Sequence, residues 1–170
     1  MKVVSNAGPL IAFGKLHRLD LLIALFEHLI IPPEVEREVR VGVQRGFRHS
    51  LEIATLIESG DIGVLIPQST VTEFQRRINL GEIGAIRLAL QERAVLVLID
   101  DWDARNEAER LGLKVKGTVG VILAANRHRL TSNSDTITLL ETIREQPDIW
   151  VGRKIVEEAI DEIRKRSQRG

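Results

Sequence analysis

Short apolar, β-branched runs alternate with longer stretches of helical periodicity from one end of this chain to the other. Strands are expected at Lys2–Ser5, His28–Ile31, Gly63–Pro67, Val95–Ile99 and Lys114–Lys116, with a weaker sixth candidate at Asp148–Val151. Helices are expected at Leu10–Phe13, Leu19–Phe26, Pro33–Val41, Leu51–Ser59, Glu82–Glu92, Asp103–Leu111, Val119–Arg129, Ile137–Glu145 and Arg153–Arg166. This alternation predicts an α/β fold, a three-layer α/β/α sandwich with a mostly parallel central sheet. Val95–Ile99 shows no polar alternation, as a central strand buried on both faces requires. Pro33 suits a first helical turn, and Gly60 and Gly112 stand where helices need a C-terminal cap. Gly42 to Ser50, rich in glycine and arginine, is expected to form a mobile surface loop.

With 170 residues the chain suits a single domain, 1–170, with a core of its own. The absence of cysteine excludes disulfide frameworks, thiolate metal sites and cysteine nucleophiles, and fits a reducing compartment. No apolar run approaches the ~20 residues of a membrane span. No signal peptide fits an N-terminus that turns strand-like at once, so a cytoplasmic setting and no membrane partner are expected. Lys and Arg total 24, as do Asp and Glu, so any nucleic-acid surface must come from uneven distribution. Arg37/Arg40, Arg45/Arg48/His49, Arg76/Arg77, Lys114/Lys116, Arg127/His128/Arg129 and Arg164/Lys165/Arg166 are the clusters available for it. Each is also what a solvated helix face looks like.

Ligands of open α/β sheets bind beyond the carboxyl ends of the strands. There the chain carries Asn6 after its first strand, Asp100 and Asp101 after the fourth, and Thr118 after the fifth. Glu82 opens a helix whose apolar stripe, Ile83, Ile86 and Leu90, faces inward. If these ends meet, oxygen-bearing groups share one cleft with no basic partner in the motif. A hard divalent cation, Mg²⁺ or Mn²⁺, is the usual answer to such crowding, and it serves phosphodiester hydrolysis without a protein nucleophile. Each residue also has a local reading. Asp101 or Asp103 caps the Asp103 helix, Thr118 caps its own, Glu82 complements a helix dipole, and Asn6 is a turn residue. Arg105 is an ion-pair candidate for Asp101, and Glu38 for a solvated face. The four histidines lack metal spacing.

Val4-Ser5-Asn6-Ala7-Gly8-Pro9-Leu10-Ile11 resembles the opening strand and turn of PIN domains. Leu80-Gly81-Glu82-Ile83-Gly84-Ala85-Ile86 resembles their central glutamate helix. Leu98-Ile99-Asp100-Asp101 with Ala104-Arg105, then Gly117-Thr118-Val119-Gly120, is similar to a PIN-like branch with a DDxxAR…GTxG pattern. The likeness runs over nearly the whole chain. It implies a PIN-like fold, Mg²⁺ or Mn²⁺ dependence, cleavage of RNA and a homodimer. It also implies the toxin role of a VapC-like ribonuclease, neutralised by a small antitoxin protein.

By position, the resemblance assigns catalysis to Glu82, Asp100 and Asp101, and metal binding to these three with Asn6. Which aspartate is the inner one is left open. Thr118, Asp103 and Glu38 take supporting places. Most PIN nucleases carry aspartate where this chain has Asn6. That exchange keeps an oxygen but removes a charge, which predicts weaker cation binding, or a domain that binds RNA or a protein partner without cleaving. A phosphatase or receiver domain fits less well, because Asn6 stands where a nucleophilic aspartate is needed and the acid pair comes late. The apolar Leu19–Phe26 helix is a candidate dimer surface.

Overall fold

The computed structural model describes residues 2–68 and 73–168. Its elements run β1 (Lys2–Ser5), α1 (Ala7–Lys15), α2 (Leu19–Leu25), β2 (His28–Ile31), α3 (Pro33–Gln44), α4 (Arg48–Glu58), β3 (Ile62–Val64), α5 (Leu80–Gln91), β4 (Leu96–Leu98), α6 (Trp102–Arg110), β5 (Val115–Lys116), α7 (Thr118–Arg127), α8 (Asn133–Glu145) and α9 (Arg153–Ser167). The strands form one sheet in the order β3-β2-β1-β4-β5, and every pairing is parallel. None of the described helices is long and apolar enough to cross a membrane.

Strand periodicity divides the core in two. Val4, Ile30, Val97 and Ile99 face one layer, where they pack with Ala85, Ile86, Leu88 and Ala89 of α5 and with Ala104 and Ala108 of α6. Val3, Leu29, Ile31 and Leu98 face the other, packed with side chains from α1 to α4 and α7 to α9. Both faces are therefore apolar, and the expected three-layer sandwich is what forms. The strand order reverses direction at β1, whose two neighbours are β2 and β4. Chains of this kind leave a crevice beyond the carboxyl ends of such a pair of strands. The Asn6 N–H donates to Leu98 O at 2.9 Å, which ties the end of β1 to the end of β4.

Gly60 and Gly112 adopt φ of +85° and +83°, the left-handed caps expected of them, and Pro33 opens α3. Four local expectations are corrected. Asp148–Val151 is not a strand. Its Ile149 is buried in the α8–α9 layer, and its amides bond within the segment, Ile149 N–H to Gln146 O and Val151 N–H to Ile149 O. Gly63–Pro67 contributes only Ile62–Val64 to the sheet, with one further rung from Leu65 N–H to Ile31 O.

The Gly42–Ser50 stretch is not a loop either, since α3 runs to Gln44 and α4 begins at Arg48. Gly42 serves close approach: a Cβ there would collide with Ser50 Oγ of α4. Finally, α2 is no free apolar surface, because Leu19, Leu21 and Leu22 are buried in the core and Ile23 and Leu25 pack against it. Most of the basic clusters are also spoken for. Arg37, Arg40, Arg48, Arg76, Arg164 and Arg166 pair with Glu34, Glu36, Glu52, Asp103, Glu141 and Glu162.

Candidate active site

Two strand ends and two helices deliver the oxygen-bearing side chains to one cavity of about 790 Å³, lined by Asn6, Glu38, Asn79, Glu82, Asp100 and Asp101 among others. Asn6 follows β1 and is buried. Its Oδ1 accepts the Ala7 N–H at 2.6 Å and caps α1. Glu82 is buried in the first turn of α5. There it forms a capping box: Asn79 Oδ1 accepts the Glu82 N–H at 2.9 Å, and Glu82 Oε2 accepts the Asn79 N–H at 2.8 Å. Asn79 was not among the expected site residues. Its signal was the Asn-x-x-Glu spacing immediately before an apolar helix.

Glu38 arrives from α3, which lies against α5 because α5 presents glycine there. A Cβ on Gly84 would press on Pro32 and Glu34, and one on Gly81 would collide with Glu38 Oε1. The same added Cβ would stand 3.4 Å from both Asn6 Oδ1 and Asn79 Oδ1, so three side-chain oxygens crowd around one point. A Gly81→Ala variant should fold normally and displace Glu38 from this cluster. The check is a crystal structure of the variant, with Glu38 Oε1 moved away from Asn6 and Asn79, and a melting temperature within a few degrees of wild type.

Asp100 and Asp101 part company. Both Asp100 oxygens are held by Thr118, whose N–H donates to Oδ1 at 2.7 Å and whose hydroxyl donates to Oδ2 at 2.6 Å. Gly117 makes this possible, since a Cβ there would stand 2.8 Å from both Asp100 Oδ1 and Arg105 Nη1. Asp101 is exposed and caps α6, its Oδ1 accepting the Ala104 N–H at 2.9 Å. Thr118 therefore does not cap α7, as expected from sequence. Gly117 occupies the cap and the Thr118 side chain, fully buried, is turned to Asp100. Asp103 does not line the cavity and pairs with Arg76 at 2.5 Å. Arg105 acts on Asp100 rather than as a partner of Asp101. Thr118→Val should leave a buried carboxylate oxygen without its donor and cost about 1–3 kcal/mol, read by urea denaturation.

Burial works against ionisation of three acids in this cavity. Burial pushes the Glu82 carboxyl above its ordinary range, the Asn79 amide opposes the rise, and the charges of Asp101 and Asp103 add to it. Desolvation and then the charge of Glu82 raise Glu38. Burial raises Asp100 as well, against the Thr118 bonds and the charge of Arg105. Among the described residues no Lys or Arg forms an ion pair with Glu38, Glu82, Asp100 or Asp101. The nearest lining ammonium, Lys15, is taken by Asp148 at 2.6 Å.

Hard oxygen donors under mutual repulsion are the chemistry that selects a Mg²⁺-like cation, and by donor type the site fits one. Asn6, Glu82, Asp100 and Asp101 share the cavity as expected. Yet among the described residues no three Asp, Glu or His side chains converge closely enough to cage an ion as they stand. The reason is visible in the bonding: Asp100 is held by Thr118, Asp101 by the α6 cap and Glu82 by the α5 cap. The Oε1 of Glu82 and the Oδ2 of Asp101 are not the atoms that serve the two caps and remain to be offered.

A family model described as PIN domain matches residues 2–165 of the chain. No curated protein and no solved structure matches it.

Proposed function

This chain belongs to the PIN-domain family, whose members are generally nucleases, and on that premise we propose that it is a Mg²⁺- or Mn²⁺-dependent endoribonuclease. The observation that carries the reading is the gathering of Asn6, Glu38, Glu82, Asp100 and Asp101 around one cavity at the β1–β4 strand ends. When bound, the cation supplies a lowered pKa for water and neutralises charge on the phosphate.

The chain's own residues then divide the work. Glu82 and Asp101 would offer the oxygens not used in capping to the cation, and Asn6 would add a neutral one. Asp100, fixed at both oxygens by Thr118, sets the charge at the floor of the cavity and holds its shape. Glu38, with its pKa raised by desolvation and by Glu82, is suited to accept the proton of the attacking water. The oxygen of the attacking water forms the new P–O bond as the scissile P–O bond breaks; Glu38 takes one proton from that water, and the leaving oxygen takes a proton from solvent water. Within the same proposal the chain is one domain that acts as a VapC-like toxin, forms a homodimer and is held by a small antitoxin protein. These partners are supported by the DDxxAR…GTxG resemblance.

Incubation of the purified chain with single-stranded and structured RNA tests the reading. Loss of RNA with Mn²⁺, none with EDTA, and none from an Asp100→Ala/Asp101→Ala variant are expected. Equal loss from wild type and the double variant would end it. The acid limb of the rate should lie above pH 4.5, the ordinary value for a glutamate, because the working form of Glu38 is charged and its pKa is raised. A rate profile from pH 4.5 to 8 shows this directly.

A second reading, binding without cleavage, draws on Asn6, whose Oδ1 is already engaged in capping α1. Under it, wild type is inactive and Asn6→Asp restores metal-dependent cleavage. Strong cleavage by wild type removes it.

A further inference from the structure

The chain has two tryptophans and no tyrosine, and both tryptophans lie open to solvent. Trp102, at the first turn of α6, is 71% exposed, and Trp150, between α8 and α9, is 89% exposed. Leaving the two largest apolar rings of a protein in water forfeits burial that the fold elsewhere uses fully, as at Phe13. Their position explains the choice. Both rings line the same cavity as Glu82, Asp100 and Asp101, Trp102 next in sequence to the acid pair and Trp150 from the α8–α9 connection.

Basic groups accompany Trp150. Arg144 and Arg153 line the cavity beside it. Arg153 is exposed and has no ion pair among the described residues, while Arg144 makes only a 3.8 Å approach to Glu145. Exposed aromatic faces interleaved with free guanidinium groups are the pattern by which proteins hold unpaired bases and the phosphates between them. A duplex keeps its bases stacked on one another and offers no face to such rings.

We propose that Trp102 and Trp150 are base-stacking platforms at the acidic cavity, with Arg144 and Arg153 holding phosphate, so that an unpaired strand is seated on them. This rests on the nuclease reading for the identity of the cavity, and it adds the residues that seat the strand. Neither tryptophan takes part in the bond-making step; both position the strand.

The two tryptophans are the chain's only strong intrinsic fluorophores, so the protein reports on itself. With EDTA present to prevent cleavage, a single-stranded RNA 12-mer should quench the emission of the full chain, and a blunt duplex of the same length should not. Trp150→Ala and Trp102→Ala should each weaken single-strand binding by ~5- to 150-fold, measured by anisotropy of end-labelled RNA, and Trp→Phe variants should recover much of it. Binding by Trp150→Ala and Trp102→Ala within twofold of wild type, or equal quenching by duplex, would overturn the proposal. So would quenching by an unrelated acidic polymer, polyglutamate for example, to the same extent. Cleavage of RNA by wild type alongside unaltered binding by both alanine variants sinks the platforms and leaves the nuclease. Single-strand quenching without cleavage under any divalent cation does the reverse.

Discussion

Glu82→Gln is expected to lower RNA cleavage by at least ~100-fold while leaving the protein as stable as wild type or more so. The amide keeps an oxygen that can accept the Asn79 N–H, so the capping box survives. What disappears is a charge that burial and the neighbouring Asp101 and Asp103 already disfavour. Glu82→Ala loses both, and should cost about 0.5–2 kcal/mol of stability besides the activity. The pair of variants separates chemistry from architecture: equal loss of activity with unequal stability is the expected pattern, read by single-turnover cleavage and urea denaturation.

Linkage gives the same residue a second signature. The Glu82 pKa is higher in the folded chain than in the unfolded one, so the folded state binds the extra proton between the two values. Stability therefore falls as pH rises from about 4.5 through the raised value. Glu38 and Asp100 act in the same direction. His49, lowered chiefly by burial, acts in the opposite direction below its ordinary 6.5. The informative quantity is thus the difference between wild type and Glu82→Gln, which should grow in the variant's favour from pH 5 to 7.5 in EDTA. Glu92, Glu107 and Asp148, all lowered, change the balance only below this window.

Gly117→Ala is expected to cost both stability and activity. The backbone at Gly117 is extended, with φ of −93°, so alanine meets no conformational penalty there. The added carbon meets Asp100 Oδ1 and Arg105 Nη1, each at 2.8 Å, and Ile99 O at 3.4 Å. Neither side chain has an easy retreat, since Asp100 is bonded twice to Thr118 and the Arg105 guanidinium lies against Ile99 O. A cost of about 1–3 kcal/mol and near-complete loss of cleavage are expected. Arg105→Ala added to Gly117→Ala should recover part of the stability and none of the activity, because Asp100 stays displaced.

How much of this was written in the chain depends on how local each signal is. The sandwich was legible because β1, β2 and β4 are apolar on both faces, and only a sheet covered on both sides satisfies that. Asn6, Asp100 and Thr118 were legible as strand-end residues, since the parallel topology places them by rule. Glu38 was reachable only through resemblance. Its approach depends on Gly81 and Gly84 admitting α3, a packing fact that periodicity does not carry. The α2 segment was ambiguous for a physical reason: a helix apolar on most sides suits a dimer surface and a core equally, and here Leu21 and Leu22 are core. Trp150 was hidden inside a run, Ile149-Trp150-Val151, that imitates a strand while Pro147 and Gly152 bound it as a connection. Asp103 illustrates the limit of position alone: two residues past Asp101 it turns outward to Arg76.

The central claim is that carboxylates far apart in sequence meet at the β1–β4 strand ends and take up a divalent cation there. Calorimetric titration of the metal-free chain with Mn²⁺ tests it most directly. The account predicts saturable heat in wild type, much weaker uptake in Glu82→Gln, and none in Glu82→Gln/Asp101→Asn. Indistinguishable isotherms for wild type and the double variant would contradict it.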